Sequence, residues 1–124
     1  MKRFTFFTLV LILMGSCVQK TKQQTVHFSV DARAEENVKK ISVRGSVPPL
    51  NWNTNFELTD TDQDSIYTGT IIFDIPYDYV NLKFVKNDNE FELQDKPNRS
   101  VKFDQSLTTN YSATFNLSPQ SADK

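Results

Sequence analysis

The sequence predicts an all-β protein, an antiparallel sandwich of seven or eight short strands, and three observations lead there. Apolar residues recur at every second position through most of the chain after Thr25, which is the period of a half-buried strand. Clusters of Asp, Asn, Pro and Ser interrupt these runs at short intervals, as turns between short strands require. No window sustains an apolar stripe at helical spacing.

Val26, Phe28 and Val30 mark the first strand, and the polar run Asp31 to Asn37 ends it. Ile41 and Val43 mark the second, followed by a long loop from Gly45 to Asn55 and a short strand at Phe56 to Leu58. After the acidic turn Asp60 to Ser65, the alternation resumes at Tyr67, Ile71 and Phe73 around Gly69. Pro76 to Asp78 turns the chain into Val80, Leu82 and Phe84. Asn87 to Asn89, Asp95 to Asn98 and Thr108 to Asn110 then separate short runs at Glu90 to Leu93, Val101 to Phe103 and Tyr111 to Leu117. Residues 25 to 117 thus form one module, with 118 to 124 as a polar tail. Its predicted inward set is Val26, Phe28, Ile41, Val43, Ile71, Phe73, Leu82, Phe84, Val101, Phe103 and Phe115.

The 124 residues suit a single domain, and 38% hydrophobic with 23% charged residues is a globular composition. A formal net charge of −1 offers no broad basic surface for nucleic acid. One Cys and one His exclude a disulfide within the chain and weigh against Cys/His catalysis or a Cys/His metal site. No cofactor is implied.

The N-terminus carries an address. Lys2 and Arg3 precede the apolar run Phe4 to Met14, which is too short to span a bilayer, and Gly15-Ser16-Cys17 follows at once. Leu13 to Cys17 resembles a bacterial lipoprotein box, which implies that residues 1–16 are removed as a signal peptide and that Cys17 is lipidated. An ordinary signal peptide with an incidental Cys is the other reading. Residues 17–24 then form a polar tether, and the protein is expected in the cell envelope, lipid-anchored to the outer membrane or cell surface.

Trp52 is the only Trp and lies in a loop with two prolines and flanking Asn51 and Asn53. A fixed aromatic plane beside amide groups matches a sugar ring, which has an apolar C–H face and a rim of hydroxyls. The alternative is that Trp52 plugs the end of the sandwich. Lys83 alternates out of the Leu82/Phe84 set, so its ammonium is expected on the outer sheet face, whether as a donor to hydroxyls or simply solvated. Asn98 and Arg99 after Pro97 suit a turn whose amide faces a ligand or caps its own backbone.

These residues carry a resemblance. Gly45-Ser46-Val47-Pro48-Pro49-Leu50-Asn51-Trp52 resembles the "G-S-x-x-x-L-G-x-W" loop of starch-binding domains, carbohydrate-binding module family 20. Leu82-Lys83-Phe84-Val85 resembles that family's "Y-K-F-v" strand, and Glu92-Leu93-Gln94-Asp95-Lys96-Pro97-Asn98-Arg99 resembles its "E-W-E-x-x-x-N-R" segment. The resemblance implies an immunoglobulin-like sandwich and non-catalytic binding of a starch- or glycogen-like α-glucan through Trp52, Lys83, Glu92, Leu93 and Asn98. Leu93 stands where the family has its second Trp, and the first loop is one residue short. Neighbouring Phe91 would have to turn outward to replace the missing ring. Phe91 and Leu93 lie two apart, so a regular strand would give them one face. With the second aromatic gone, a starch-binding fold retained as an envelope protein–protein interaction module is the competing function.

Other candidates are weaker. Asp60-Thr61-Asp62-Gln63-Asp64 has the alternate spacing of a calcium loop but lacks the Gly and terminal Glu that loop needs. Glu90 and Glu92 could pair as a hydrolase dyad, yet a module this small has little room for a substrate groove. His27 is expected to be an ordinary strand residue, and Tyr77-Asp78-Tyr79 a sheet-edge hairpin or a secondary sugar platform.

Overall fold

A computed structural model describes residues 21–119. The expected leader, Cys17 and the start of the tether lie outside those residues, as does the tail from Gln120. Eight strands follow in order: β1 (Lys22–Asp31), β2 (Ile41–Gly45), β3 (Phe56–Glu57), β4 (Ile66–Ile75), β5 (Tyr79–Lys86), β6 (Glu90–Phe91), β7 (Arg99–Lys102) and β8 (Thr108–Thr114). Each overlaps one of the eight apolar runs, although Thr108 to Asn110, expected as a turn, opens β8 because its residues continue the ladder along β1. They make two sheets, one of three strands in the order β4-β1-β8 and one of five built on β3-β2-β5. Both β6 and β7 pair with the side of β5 that β2 leaves free, β7 at Tyr79 to Leu82 and β6 at Val85 and Lys86.

The alternation decides what lies between the sheets. Val26, Phe28 and Val30 of β1 and Tyr67, Ile71 and Phe73 of β4 face Ile41 and Val43 of β2 and Val80, Leu82 and Phe84 of β5. All eleven members of the predicted inward set are buried. Phe28 meets Phe84 edge-on, with ring centroids 6.0 Å apart and planes at 80°, the favoured aromatic geometry. Ala32, Leu50 and Leu58 close the ends from outside the strands.

Three further details differ from expectation. β1 starts at Lys22 rather than near Thr25, because its first residues continue the ladder along β4, with Gln24 opposite Phe73. The sandwich is mixed, since β8 runs parallel to β1. The turn after β7 delivers the chain across to the other sheet: Leu107 adopts a φ of 69°, and Asp104 accepts a hydrogen bond from the Ser106 amide at 2.8 Å. The third difference is that β6 ends at Phe91.

Two glycines are fixed by close approach. A Cβ on Gly45 would sit 2.8 Å from Leu50 Cδ1 and 2.9 Å from the backbone oxygen of Asn81, whereas one on Gly69 would meet only the side chain of Leu58 within 3 Å. Backbone cannot yield as a methyl can. Gly45→Ala is therefore expected to cost about 1–3 kcal/mol and to exceed the cost of Gly69→Ala, as read from urea unfolding midpoints. Equal midpoints for the two variants would contradict this account.

Candidate functional site

Alternation along β2 and β5 sends Arg44 and Lys83 to the outer face of the five-stranded sheet, and the two are register partners. Lys83 is half-buried, and its Nζ donates to the backbone oxygen of Leu93 at 3.0 Å. Arg99 at the start of β7 pairs with Leu82, so the chain passes from Asn98 into β7 beside Lys83. Asn98 is exposed.

Arg44 fastens the Trp52 loop to this row. Its Nη1 donates to the Trp52 backbone oxygen at 3.0 Å, its Nε to Asn55 Oδ1 at 2.7 Å and its Nη2 to the Asp88 backbone oxygen at 3.2 Å. The loop also braces itself, with Asn51 Oδ1 accepting from the amides of Asn53 and Thr54, each at 2.8 Å, the Asx arrangement that stiffens a turn. Trp52 is half-buried, with exposed Asn51 and Asn53 on either side. It belongs neither to the buried core nor to the most exposed large apolar side chains. The backbone of the Trp52 loop is thus tied through Arg44 to the strand pair that carries Lys83, and the Asn-Arg segment enters β7 beside the same strand.

Two expected contacts do not reach that face. Glu92 is fully buried, and its carboxylate is consumed internally. Oε2 accepts from Arg99 Nε at 2.7 Å and from the Phe84 amide at 2.9 Å, while Oε1 accepts from Arg99 Nη2 at 2.8 Å and from the Asn116 amide at 3.3 Å. It has no lone pair to spare for a sugar hydroxyl and no place in a hydrolytic dyad. Leu93 is buried too, and its φ of 50° breaks the strand alternation, so it does not share a face with Phe91. Phe91 in turn has one ring face covered by the Arg44 guanidinium, 5.1 Å from its centroid. Among the predicted contacts, Trp52 and Lys83 are half-buried and Asn98 is exposed, whereas Glu92 and Leu93 are buried.

Burial opposes the charge on Arg99, but the bonds from Glu92 outweigh it, and its pKa rises above the ordinary guanidinium value. Arg99 Nη2 also donates to the backbone oxygens of Thr114 and Leu117, at 3.0 and 2.8 Å. The pair is part of the framework.

The remaining candidates take structural places. Asp60 Oδ1 and Oδ2 accept from the amides of Asp64 and Ser65, and Asp64 Oδ1 from that of Ile66, so the acidic turn caps its own backbone. The exposed Glu90 lies 3.5 Å from Lys86. The exposed His27 makes a 2.8 Å hydrogen bond through Nδ1 to Thr70 Oγ1 across the outer face of the other sheet. Tyr77 and Tyr79 are both exposed.

The residue that sequence reasoning missed is Arg44. Its signal was present, since it is the outward position after Ile41 and Val43 and directly precedes the loop. No protein-family model and no curated protein matches the chain.

Glu92→Gln leaves a buried guanidinium without its counter-charge, a class of change that costs about 3–5 kcal/mol. The urea midpoint is expected to fall far below that of the wild type, while Glu90→Gln leaves it unchanged. A Glu92→Gln variant as stable as wild type would show that the pair is not structural.

Proposed function

We propose that this sandwich is a non-catalytic carbohydrate-binding module that holds an α-glucan chain on the outer face of its five-stranded sheet. What supports the reading is the ordered resemblance of three segments to those of starch-binding domains, together with the Arg44 bond that ties the Trp52 backbone to the strand pair carrying Lys83. Trp52 supplies the apolar plane, and Lys83 with the Asn side chains supplies donors for the hydroxyl rim. Covering roughly 50–100 Å² of apolar surface is worth about 1–2.5 kcal/mol. With two or three hydrogen bonds the total is near −5 kcal/mol, a dissociation constant on the order of 0.2 mM. Contacts to several sugar units therefore belong to the reading. Glu92 and Leu93 have no direct part in it.

The lipoprotein reading belongs to the same proposal: a lipid on Cys17 anchors the module to an envelope membrane, where it retains polymer near enzymes that act on it. The burial of Leu93 favours the competing reading, a sandwich of this type kept as an envelope protein–protein interaction module.

Calorimetry of the folded chain against amylose, glycogen, cellulose and cyclic glucans tests the first reading. Binding to the α-glucans is expected, and Trp52→Ala is expected to weaken it at least tenfold without lowering the unfolding midpoint. Silence on all four polymers rejects it. A stoichiometric envelope protein retained in pull-downs despite Trp52→Ala and competing glucan would favour the interaction module. Cys17→Ala is expected to abolish incorporation of labelled fatty acid and to move the protein out of the membrane fraction. Unchanged labelling would remove the lipid anchor.

A further inference from the structure

Among the described residues, the long outer strand of the three-stranded sheet has a free edge beyond Thr68. Thr68 and Thr59 exchange backbone hydrogen bonds of 2.7 and 2.8 Å on the side of β4 away from β1. Thr70, Ile72 and Asp74 share the parity of Thr68, so their N–H and C=O groups point to that same open side. Among the described residues, no loop or side chain bonds to those groups. The side chain of Ile72 is 51% exposed. The other outer strand of this sheet is partly closed: Ser106 Oγ donates to the Thr108 oxygen at 3.1 Å, and Arg99 Nη2 to the Thr114 oxygen at 3.0 Å. On β4 none of the usual protections, a Lys, a Pro or a bulge, falls between Thr70 and Asp74.

The free window has defined ends. Thr68 is already paired with Thr59, and Pro76 has no N–H to give. Three outward residues remain, centred on Ile72. We propose that this edge pairs antiparallel with the same edge of a second copy of the chain, with Ile72 opposite Ile72 of the other copy. That register sets Thr70 against Asp74 of the second copy in both directions, so all three outward residues exchange reciprocal hydrogen bonds. It places two apolar side chains together at the twofold axis and faces each carboxylate with a hydroxyl. A shift by one pair in either direction draws Thr68 or Pro76 into the ladder, and opposing Asp74 to Asp74 would set like charges together. The self-complementary register favours a second copy over an unrelated strand. The product is a six-stranded sheet across both copies, and this inference is independent of sugar binding.

The test uses the full chain. In a Cys17→Ser background the thiol of Ile72→Cys is the only one present, and directly opposed Cα atoms about 5.5 Å apart suit a disulfide. Mild oxidation is expected to give a covalent dimer at least tenfold faster than Ser112→Cys on the β8 edge. In sedimentation velocity, Ile72→Lys opposes two cations and is expected to weaken the dimer at least tenfold. Thr70→Lys faces Asp74 of the second copy and is expected to leave it intact, so a dimer lost through misfolding is separable from one lost through charge. Cross-linking no faster than at Ser112, equal dissociation of wild type and Ile72→Lys, an open-ended series of oligomers, or a chain that stays monomeric while capturing a foreign strand would each overturn the proposal.

Discussion

The buried contact between Glu92 and Arg99 joins three parts of the molecule that would otherwise have no common anchor. Along β5 the pairing changes hands: β7 ends its ladder at Leu82 and β6 begins its own at Val85. Phe84 falls in the gap, and Glu92 fills it twice, by accepting the Phe84 amide on its carboxylate and by donating its own amide to the Phe84 oxygen at 3.0 Å. Arg99 then neutralises that carboxylate and reaches on to the oxygens at the end of β8, in the opposite sheet. A charged pair of this kind is weak evidence for net stability against a hydrophobic replacement, but removal of one member is severe. Here the pair satisfies backbone groups of both sheets, so it also fixes where one sheet ends on the other.

The same contact shapes the outer face. Because Glu92 turns inward, Leu93 must reverse the chain, and its positive φ does so. The reversal brings the Leu93 oxygen over Lys83. A strand that continued regularly would have laid Phe91 and Leu93 side by side as an apolar surface. Instead Phe91 stays half-buried beneath Arg44, and the cation that covers it is the one that clamps the Trp52 loop. The outer face therefore carries Lys83 and Arg44 side by side, with the Trp52 backbone held at the Arg44 end.

Most of the architecture was legible because it depends on local signals. Period-two apolar runs located all eight strands, and every residue assigned to the interior is there. The parallel placement of β8 was not legible, since no local pattern states which edge a final strand will join. The outward placement of Lys83 was legible from its alternation with the buried Leu82 and Phe84. Glu92 entered the site only through the resemblance, and its burial was not legible because it depends on a long-range partner, Arg99, that makes a buried carboxylate tolerable. Arg44 was overlooked because a lone outward Arg on a strand looks solvated until its loop acceptors are known.

The energetics of the outer face bear on the β4 edge. On the carbohydrate-binding proposal, a single indole with a few donors would hold a sugar chain at sub-millimolar affinity at best, because each added hydrogen bond replaces one to water and nets only about 0.5–1.5 kcal/mol. A site that cannot grow stronger by adding aromatic surface can gain through number. On both proposals, two modules joined edge to edge would present two such rows in fixed relation, and a polymer with many identical units would occupy both; the second contact would then form at an effective concentration set by the sheet rather than by solution, raising avidity by orders of magnitude without any new contact when the spacing matches. The proposed sugar contacts and the β4 edge left open among the described residues thus fit one mode of action, in which weak sites would be made useful by pairing.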